Sequence, residues 1–150
     1  MNRVFVHEDR RQLASYSICD LMEFTMQCET STQRVPFTFD VNSAGGLITI
    51  TSNAGHIHEY RLESLRDLYN WLRTAHPNNW VLLGSINEQN VPVAGSVEEW
   101  SRSPNNPLGG FYGVTPTFRG RFASYIPAIL EKLGYVELEG LQRNNRVRAR

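Results

Sequence analysis

The chain is poor in lysine, since Lys132 is the only lysine among its fifteen basic residues and all the others are arginines. The sequence also has no strand with an acid-x-lysine pattern, which disfavours nucleases that arrange two acids and a lysine around magnesium. The planar guanidinium group of arginine suits phosphate groups and guanine edges better than the point charge of lysine does. The bias is therefore compatible with DNA binding, although a GC-rich genome produces the same bias without any function.

Long apolar runs and cysteines are scarce as well. No apolar stretch approaches the roughly 20 residues of a membrane-spanning helix, and residues 1–11 mix charged side chains with brief apolar runs, unlike a signal or transit peptide. We therefore expect a soluble, cytoplasmic protein with no membrane partner. Cys19 and Cys28 lie nine positions apart on one expected helix, which is too far for a disulfide. Both are expected to be buried, reduced thiols.

Recognisable catalytic and cofactor motifs are missing. Residues 109–113 lack the glycine spacing of phosphate-binding and dinucleotide-binding loops. His56 and His58 share one face of an expected strand beside Glu59, but a metal ion would need a third and a fourth ligand from elsewhere in the chain. We expect no metal, no cofactor and no enzymatic activity. A small RNA-cleaving enzyme that uses both imidazoles as acid and base stays open as the weakest alternative.

The residues that are present suffice for a buried core, with 41% hydrophobic and 11% aromatic side chains, and their patterns predict an α+β fold. In residues 1–62, apolar side chains at helical spacing predict an N-terminal helix over residues 12–28. Period-two alternation then predicts a three-strand antiparallel meander. The strands are expected over residues 35–41, 47–51 and 56–62. We expect this part to form a homodimer or to bind a protein partner.

Residues 63–150 alternate between helical and strand patterns, and they either form a separate domain or share one core with residues 1–62. Capping-box patterns mark two helix starts, at Ser64 with Asp67 and at Ser96 with Glu99. Steps of three and four predict the longest helix, and Gly134 closes it. The elements expected are helices over residues 63–75, 97–102 and 115–133 and strands over residues 80–83, 135–139 and 146–150.

This order of helix, strand, helix, long helix, strand, loop and strand resembles the winged-helix family over residues 63–150. The resemblance rests on element order and spacing, and it implies a C-terminal winged helix. In that family the long helix enters the major groove of double-stranded DNA, and the last loop forms a wing beside it. The residues that the resemblance assigns to DNA are Arg119, Arg121 and Ser124 on the long helix, Arg143, Asn144 and Asn145 at the wing tip, and Arg146 and Arg148 on the last strand.

Charge is distributed unevenly along this chain of net charge +0. Residues 1–100 hold seven basic and twelve acidic side chains, whereas residues 101–150 hold eight basic and three acidic ones, so the balance changes from −5 to +5. We therefore expect a small DNA-binding protein, such as a bacterial or phage regulator or a DNA-associated accessory factor. Its binding should depend strongly on salt, because arginine would act mainly on phosphates.

A protein-interaction adaptor that keeps the same fold as a scaffold stays open as the main alternative. Glu137 and Glu139 lie opposite Arg146 and Arg148 on the expected hairpin, and such cross-strand pairs contribute ~0.2–1 kcal/mol each. The adaptor would present the exposed aromatic residues 111–112 and the edge of the meander to its partner. Arginines that are paired one by one favour the adaptor, and continuous positive charge over helix and wing favours DNA.

Overall fold

The computed structural model describes residues 24–114 and 120–150. Within these ranges the chain forms two antiparallel sheets and three helices, which confirms the predicted α+β class. The larger sheet contains, in this order, β1 (Phe24–Glu29), β2 (Pro36–Asn42), β3 (Leu47–Thr51) and β4 (Ile57–Arg61). The smaller sheet contains β5 (Val81–Leu82), β6 (Val136–Leu138) and β7 (Arg146–Ala149), with β7 in the middle. The helices are α1 (Glu63–Ala75), α2 (Val97–Arg102) and α3 (Phe122–Lys132).

The three predicted strands are present as β2, β3 and β4, which pair antiparallel, but they belong to a sheet of four strands and not three. Alternate side chains point to opposite faces of a strand, and Phe39, Ile48 and Ile50 accordingly share the fully buried face. The β2–β3 turn ends at Gly46, whose φ of 68° lies in the left-handed region that favours glycine. Local alternation and turn chemistry therefore account for this part of the sheet.

The predicted helix over residues 12–28 is wrong in its described part, because Phe24–Glu29 form strand β1 and pair with β2. Burial alternates along β1 as it does along a strand and not as it does along an amphipathic helix. The rest of that predicted helix, including Cys19, lies outside the described residues. Cys28 is a buried free thiol, as predicted. Burial raises the pKa of this thiol to about 11, so that it stays protonated at neutral pH.

Helix α1 buries the predicted apolar stripe of Leu65, Leu68 and Leu72. Its predicted capping box is wrong, because the N-cap position is Leu62 and no side chain caps it. Ser64 lies inside the helix, and its buried hydroxyl has no hydrogen-bond partner in the part of the chain that the structure describes. Asp67, the expected second member of the box, instead accepts a hydrogen bond from the hydroxyl of Tyr112 at 2.8 Å. The hydrogen bond between Tyr112 and Asp67 thus takes the place of the predicted capping contact within the helix.

Helix α3 begins later than predicted. Of the expected helix over residues 115–133, the described helical part is Phe122–Lys132, and residues 115–119 lie outside the described chain. Arg121 precedes the helix with a φ of 61°, in the left-handed region. At the other end Gly134 has a φ of 89° and closes the helix as predicted.

The buried apolar side chains of both sheets and all three described helices form one cluster. Helix α3 contacts β1, β6, α1 and α2. Its Tyr125 meets Phe37 of β2 edge-on, with ring centroids 5.0 Å apart. Its Phe122 meets Tyr60 of β4 in the same way at 5.6 Å. Over the residues described, no helix has the length and apolar character needed to cross a membrane.

Candidate nucleic-acid interface

Helix α3, which the sequence predicts to enter a DNA groove, has little exposed surface. Eight of its eleven residues are buried. The thiol of Cys28 on β1 lies 3.4 Å from the carbonyl oxygen of Ala128, and the backbone N–H of Ser31 donates to the carbonyl oxygen of Ser124 at 2.9 Å. A helix that reads a major groove must present a protruding polar face to the bases. Helix α3 does not provide that face, because the β1–β2 region covers it.

The N-terminus of α3 is already occupied by an acidic side chain of the protein. Ser96 caps α2 as predicted, by accepting a hydrogen bond at 3.2 Å from the N–H of residue 99, and this orients Glu98 toward α3. The carboxylate of Glu98 accepts hydrogen bonds from the backbone N–H groups of Ala123 at 2.9 Å and Phe122 at 3.3 Å. It also pairs with Arg102 at 2.9 Å, with both side chains largely buried. A phosphate group therefore finds no vacant donors at this helix end.

Arg121 stands out because its backbone is strained and its side chain is exposed. Its φ of 61° costs an L-residue roughly 1–2 kcal/mol. Its N–H donates to the carbonyl oxygen of Ile86 at 2.9 Å. The preceding Gly120 packs so closely that a Cβ there would lie 2.4 Å from the backbone nitrogen of Glu88. Such strain persists only when the surroundings impose it, and it is concentrated at functional sites. The guanidinium group has no hydrogen bond or salt bridge in the described chain.

A cleft of about 480 Å³ is lined in part by Arg121, and we call it the wing cleft. It is bounded by the β6–β7 loop, the β1–β2 turn and the loop after β5. Three predicted site residues line it together with Arg121, namely Ser124, Asn144 and Asn145. Among the described residues that line it, Arg121 alone carries a charge. The structure thus brings half of the predicted site residues to one cleft, which Arg121 lines and which no carboxylate of the described residues lines.

Asn145 has a structural role that the sequence did not reveal. Its side chain is 4% exposed. The amide oxygen accepts hydrogen bonds from the backbone of Gly140 and Leu141, and the amide nitrogen donates to Ser31 and Thr32. Asn145 therefore fastens the β6–β7 loop to the β1–β2 turn. Because these contacts already use both the amide oxygen and the amide nitrogen of Asn145, its side chain has no donor left for a DNA contact.

The wing tip itself is accessible. Asn144 and Arg143 are exposed, and the side chain of Arg143 has no hydrogen-bond or salt-bridge partner among the described residues. Asn144 adopts a φ of 52°, which an asparagine tolerates better than most residues do. In the wing cleft, the hydroxyl of Ser124 shares a hydrogen bond with that of Ser85. Arg119, another residue predicted to contact DNA, lies outside the described residues.

The two arginines of β7 are neutralised. Arg146 pairs with Glu139, and Arg148 pairs with Glu137 at 2.6 Å. Both guanidinium groups also lie over the ring of Trp80, Arg148 at 4.3 Å from its centroid. The hydrogen bond from Arg146 lowers the pKa of Glu139 below its usual value, so the pair stays ionised at neutral pH. The sequence left open whether the arginines of β7 are paired or free. The structure shows that both are paired with carboxylates, so neither is a free phosphate ligand.

A second cleft, of about 370 Å³, also includes Arg121 in its lining, and we call it the histidine cleft. It brings together His56, His58 and Arg121. The ring of His58 lies 5.1 Å from that of Tyr125. Burial raises the pKa of Tyr125, and the positive charge of Arg121 reduces this rise. Within residues 24–114 and 120–150, no three potential metal-ligating side chains cluster. The cleft therefore offers aromatic rings, one cation and the carboxylate of Glu88.

Several lining residues of the histidine cleft were missed by the sequence analysis. Asn87, Glu88 and Gln89 come from the long connection after β5, and Tyr125 comes from the apolar stripe of α3. No local pattern marks them, because they meet only through tertiary folding. The one available signal was Gly120. It lies within the predicted helix over residues 115–133, where glycine is unfavourable, and so it could have indicated a break in that helix.

Comparison with known proteins adds the family of the chain. Neither the curated proteins nor the solved structures contain a match to it. The model of DUF6855, a family of unknown function, matches residues 22–150. The chain therefore belongs to the DUF6855 family.

Proposed function

We propose that the protein is a non-enzymatic nucleic-acid-binding protein that holds the phosphate backbone at Arg121 and at the wing tip, Arg143 and Asn144. The observation that carries the proposal is Arg121, an exposed cation with a strained backbone at the edge of a cleft whose described lining residues include no carboxylate. Arginine is the side chain best suited to grip a phosphate group. The element order α1, β5, α2, α3, β6, β7 agrees with the winged-helix resemblance and supports the proposal.

The mode of binding differs from the groove insertion that the sequence suggested. Double-stranded DNA, the predicted partner, would have to be held by its backbone, because α3 is covered and its N-terminus is occupied by Glu98. Backbone contacts position a nucleic acid but carry no sequence information directly. A role as regulator or DNA-associated accessory factor is part of the proposal and rests on the resemblance. Sequence preference should accordingly be weak.

The test is a fluorescence anisotropy titration of labelled oligonucleotides from about 20 to 200 mM salt. Two phosphate contacts should give a logarithmic salt slope of about −1.5. Arg121→Gln should weaken binding about tenfold and reduce the slope by roughly 0.7–0.9. Arg61→Gln is the matched control, because Arg61 is an exposed arginine of β4 that lines neither cleft. Binding that is absent at low salt, or that both variants weaken equally, would contradict the proposal.

A protein-interaction adaptor is a second candidate, and the pairing of the arginines favours it. Arg34 pairs with Glu131, and the arginines of α2 and β7 are paired as well. The aromatic surface expected for an adaptor is smaller than predicted, however, because Tyr112 is fully buried. Sedimentation of the purified chain tests the expected homodimer. A stable dimer that shows no affinity for nucleic acid at low salt would favour the adaptor.

A further inference from the structure

On the basis of the proposed function, we infer that the ligand is a single-stranded nucleic acid whose backbone crosses Arg121 and whose base enters the histidine cleft. Arg121 is the one described residue with a charged side chain that lines both clefts. A strand whose backbone crosses Arg121 can therefore reach both clefts. The two clefts differ in chemistry, and that difference assigns the phosphate to one and the base to the other.

The shape of the surface favours an unpaired strand over a duplex. Bases of a duplex are reached only by an element that protrudes into a groove, usually a helix or a β-ribbon. The described surface around Arg121 is instead concave, and α3 lies beneath it as part of the core. Unpaired bases can leave the stack and enter recesses of this kind. The volume of the histidine cleft, about 370 Å³, lies within the range of ligand sites.

The wing cleft suits a phosphate group. It combines Arg121 with hydroxyl groups that retain a donor. The hydroxyl oxygens of Thr30 and Thr32 accept hydrogen bonds from Val35 and Asn145, so their own O–H groups remain available to donate. The hydroxyls of Ser85 and Ser124 share one hydrogen bond, which leaves one of the two protons for a ligand. Hydroxyl groups and an arginine are the side-chain donors that bind nucleic-acid phosphates.

The histidine cleft suits a base better than a phosphate. Its two described residues with permanent charges, Arg121 and Glu88, have opposite signs, so the cleft has little net attraction for an anion. Three rings line it, those of the exposed His56 and of the buried His58 and Tyr125. A base can stack on an exposed ring such as that of His56. The amides of Asn87 and Gln89 line the same cleft. Since the amide oxygen of Asn87 accepts from the backbone of Gln89, its N–H donors remain for acceptors on a base edge.

The experiment compares four ligands of about 12 nucleotides, a length typical of one single-strand site. They are a polypyrimidine DNA strand, the same strand in RNA, an abasic DNA strand with the same backbone, and the DNA duplex of the first sequence. We expect the wild type to bind the polypyrimidine strands at least about tenfold more tightly than the abasic strand. The duplex should also bind more weakly than the single strand. A difference between the DNA and RNA arms identifies the sugar that the site accepts.

Two variants separate the base contact from the phosphate contact. His56→Ala changes an exposed side chain of the histidine cleft, and it should weaken binding of the polypyrimidine strand while leaving the abasic strand unaffected. Arg121→Gln should weaken both. His76→Ala is the matched control, because His76 follows α1 and lines neither cleft.

The outcomes distinguish this inference from the proposed function. If the wild type binds the abasic strand or the duplex as tightly as the polypyrimidine strand, the single-strand inference is overturned and phosphate binding stands. If His56→Ala weakens binding of the polypyrimidine strand and of the abasic strand equally, the base is not in the histidine cleft. If no ligand binds at low salt, both the inference and the proposed function fail.

Discussion

Arg121 in the loop before α3 differs from Arg146 and Arg148 of the β6–β7 hairpin in its electrostatic surroundings. On the hairpin, the register places Glu137 opposite Arg148, and each arginine of β7 has a carboxylate partner. On the loop, no carboxylate pairs with Arg121 in the described chain. The same side chain thus contributes to sheet stability in one region and is available to a ligand in the other.

The difference teaches that neighbours, and not the number of arginines, decide which of them can bind an anion. The balance of +5 in residues 101–150 suggested a continuous basic surface. Its basic side chains divide instead into paired ones, such as Arg102, and exposed ones, such as Arg121 and Arg143. Paired arginines have already exchanged water for a carboxylate, so that a phosphate would have to displace that partner.

The largest expected effect is on stability, and it comes from the buried pair. Glu98→Ala should destabilise the fold by about 3–5 kcal/mol, because it leaves Arg102 buried without its carboxylate and removes the acceptor from the N-terminus of α3. Glu137→Ala, which removes the carboxylate of an exposed pair, should cost less than about 1 kcal/mol. Urea unfolding of both variants measures the difference. Equal losses would show that burial does not distinguish the two pairs.

An intermediate effect is expected at Arg121, where two substitutions separate backbone strain from charge. Arg121→Gly and Arg121→Ala both remove the cation, but only glycine accommodates a φ of 61° without a penalty. The glycine variant should therefore be about 1 kcal/mol more stable than the alanine variant. Both should lose the same affinity for nucleic acid. If alanine is as stable as glycine, the strain at this position is absent in solution, and its link to function is lost.

Much of the fold could be predicted because its signals are local. Alternation predicted β2, β3 and β4, and the leucine stripe predicted α1. Strand β1 was missed because its six residues are too few to separate a period of two from helical spacing. Its pairing with β2 decided its conformation. The capping box predicted at Ser64 is absent for a related reason, because Asp67 accepts a hydrogen bond from Tyr112, which is distant in the sequence.

The candidate site was predictable only in part. Ser124 and Asn144 were expected beside Arg121, and they do line one cleft. That expectation assumed a protruding helix, however. The sequence patterns did not predict the strand β1 that covers α3, because part of β1 was predicted as a helix. The pairing of the β7 arginines could be anticipated from their alternation with acids on β6. The strain at Arg121 could not, because φ depends on packing against the loop that contains Ile86.

The smallest expected effect concerns the exposed pair of Glu139 and Arg146. The hydrogen bond from Arg146 lowers the pKa of Glu139 in the folded state. The pair therefore stabilises the fold above the ordinary pKa of the carboxyl group, 4.5, and this contribution is lost as the pH falls through the lowered value. Glu139→Gln should accordingly be slightly less stable than the wild type near neutral pH and equally stable in strong acid. Thermal melts across this pH range test the prediction, and a difference that persists in acid would contradict it. The variant Arg146→Gln breaks the same pair but also removes the contact with the ring of Trp80, so part of its loss of stability should persist in acid.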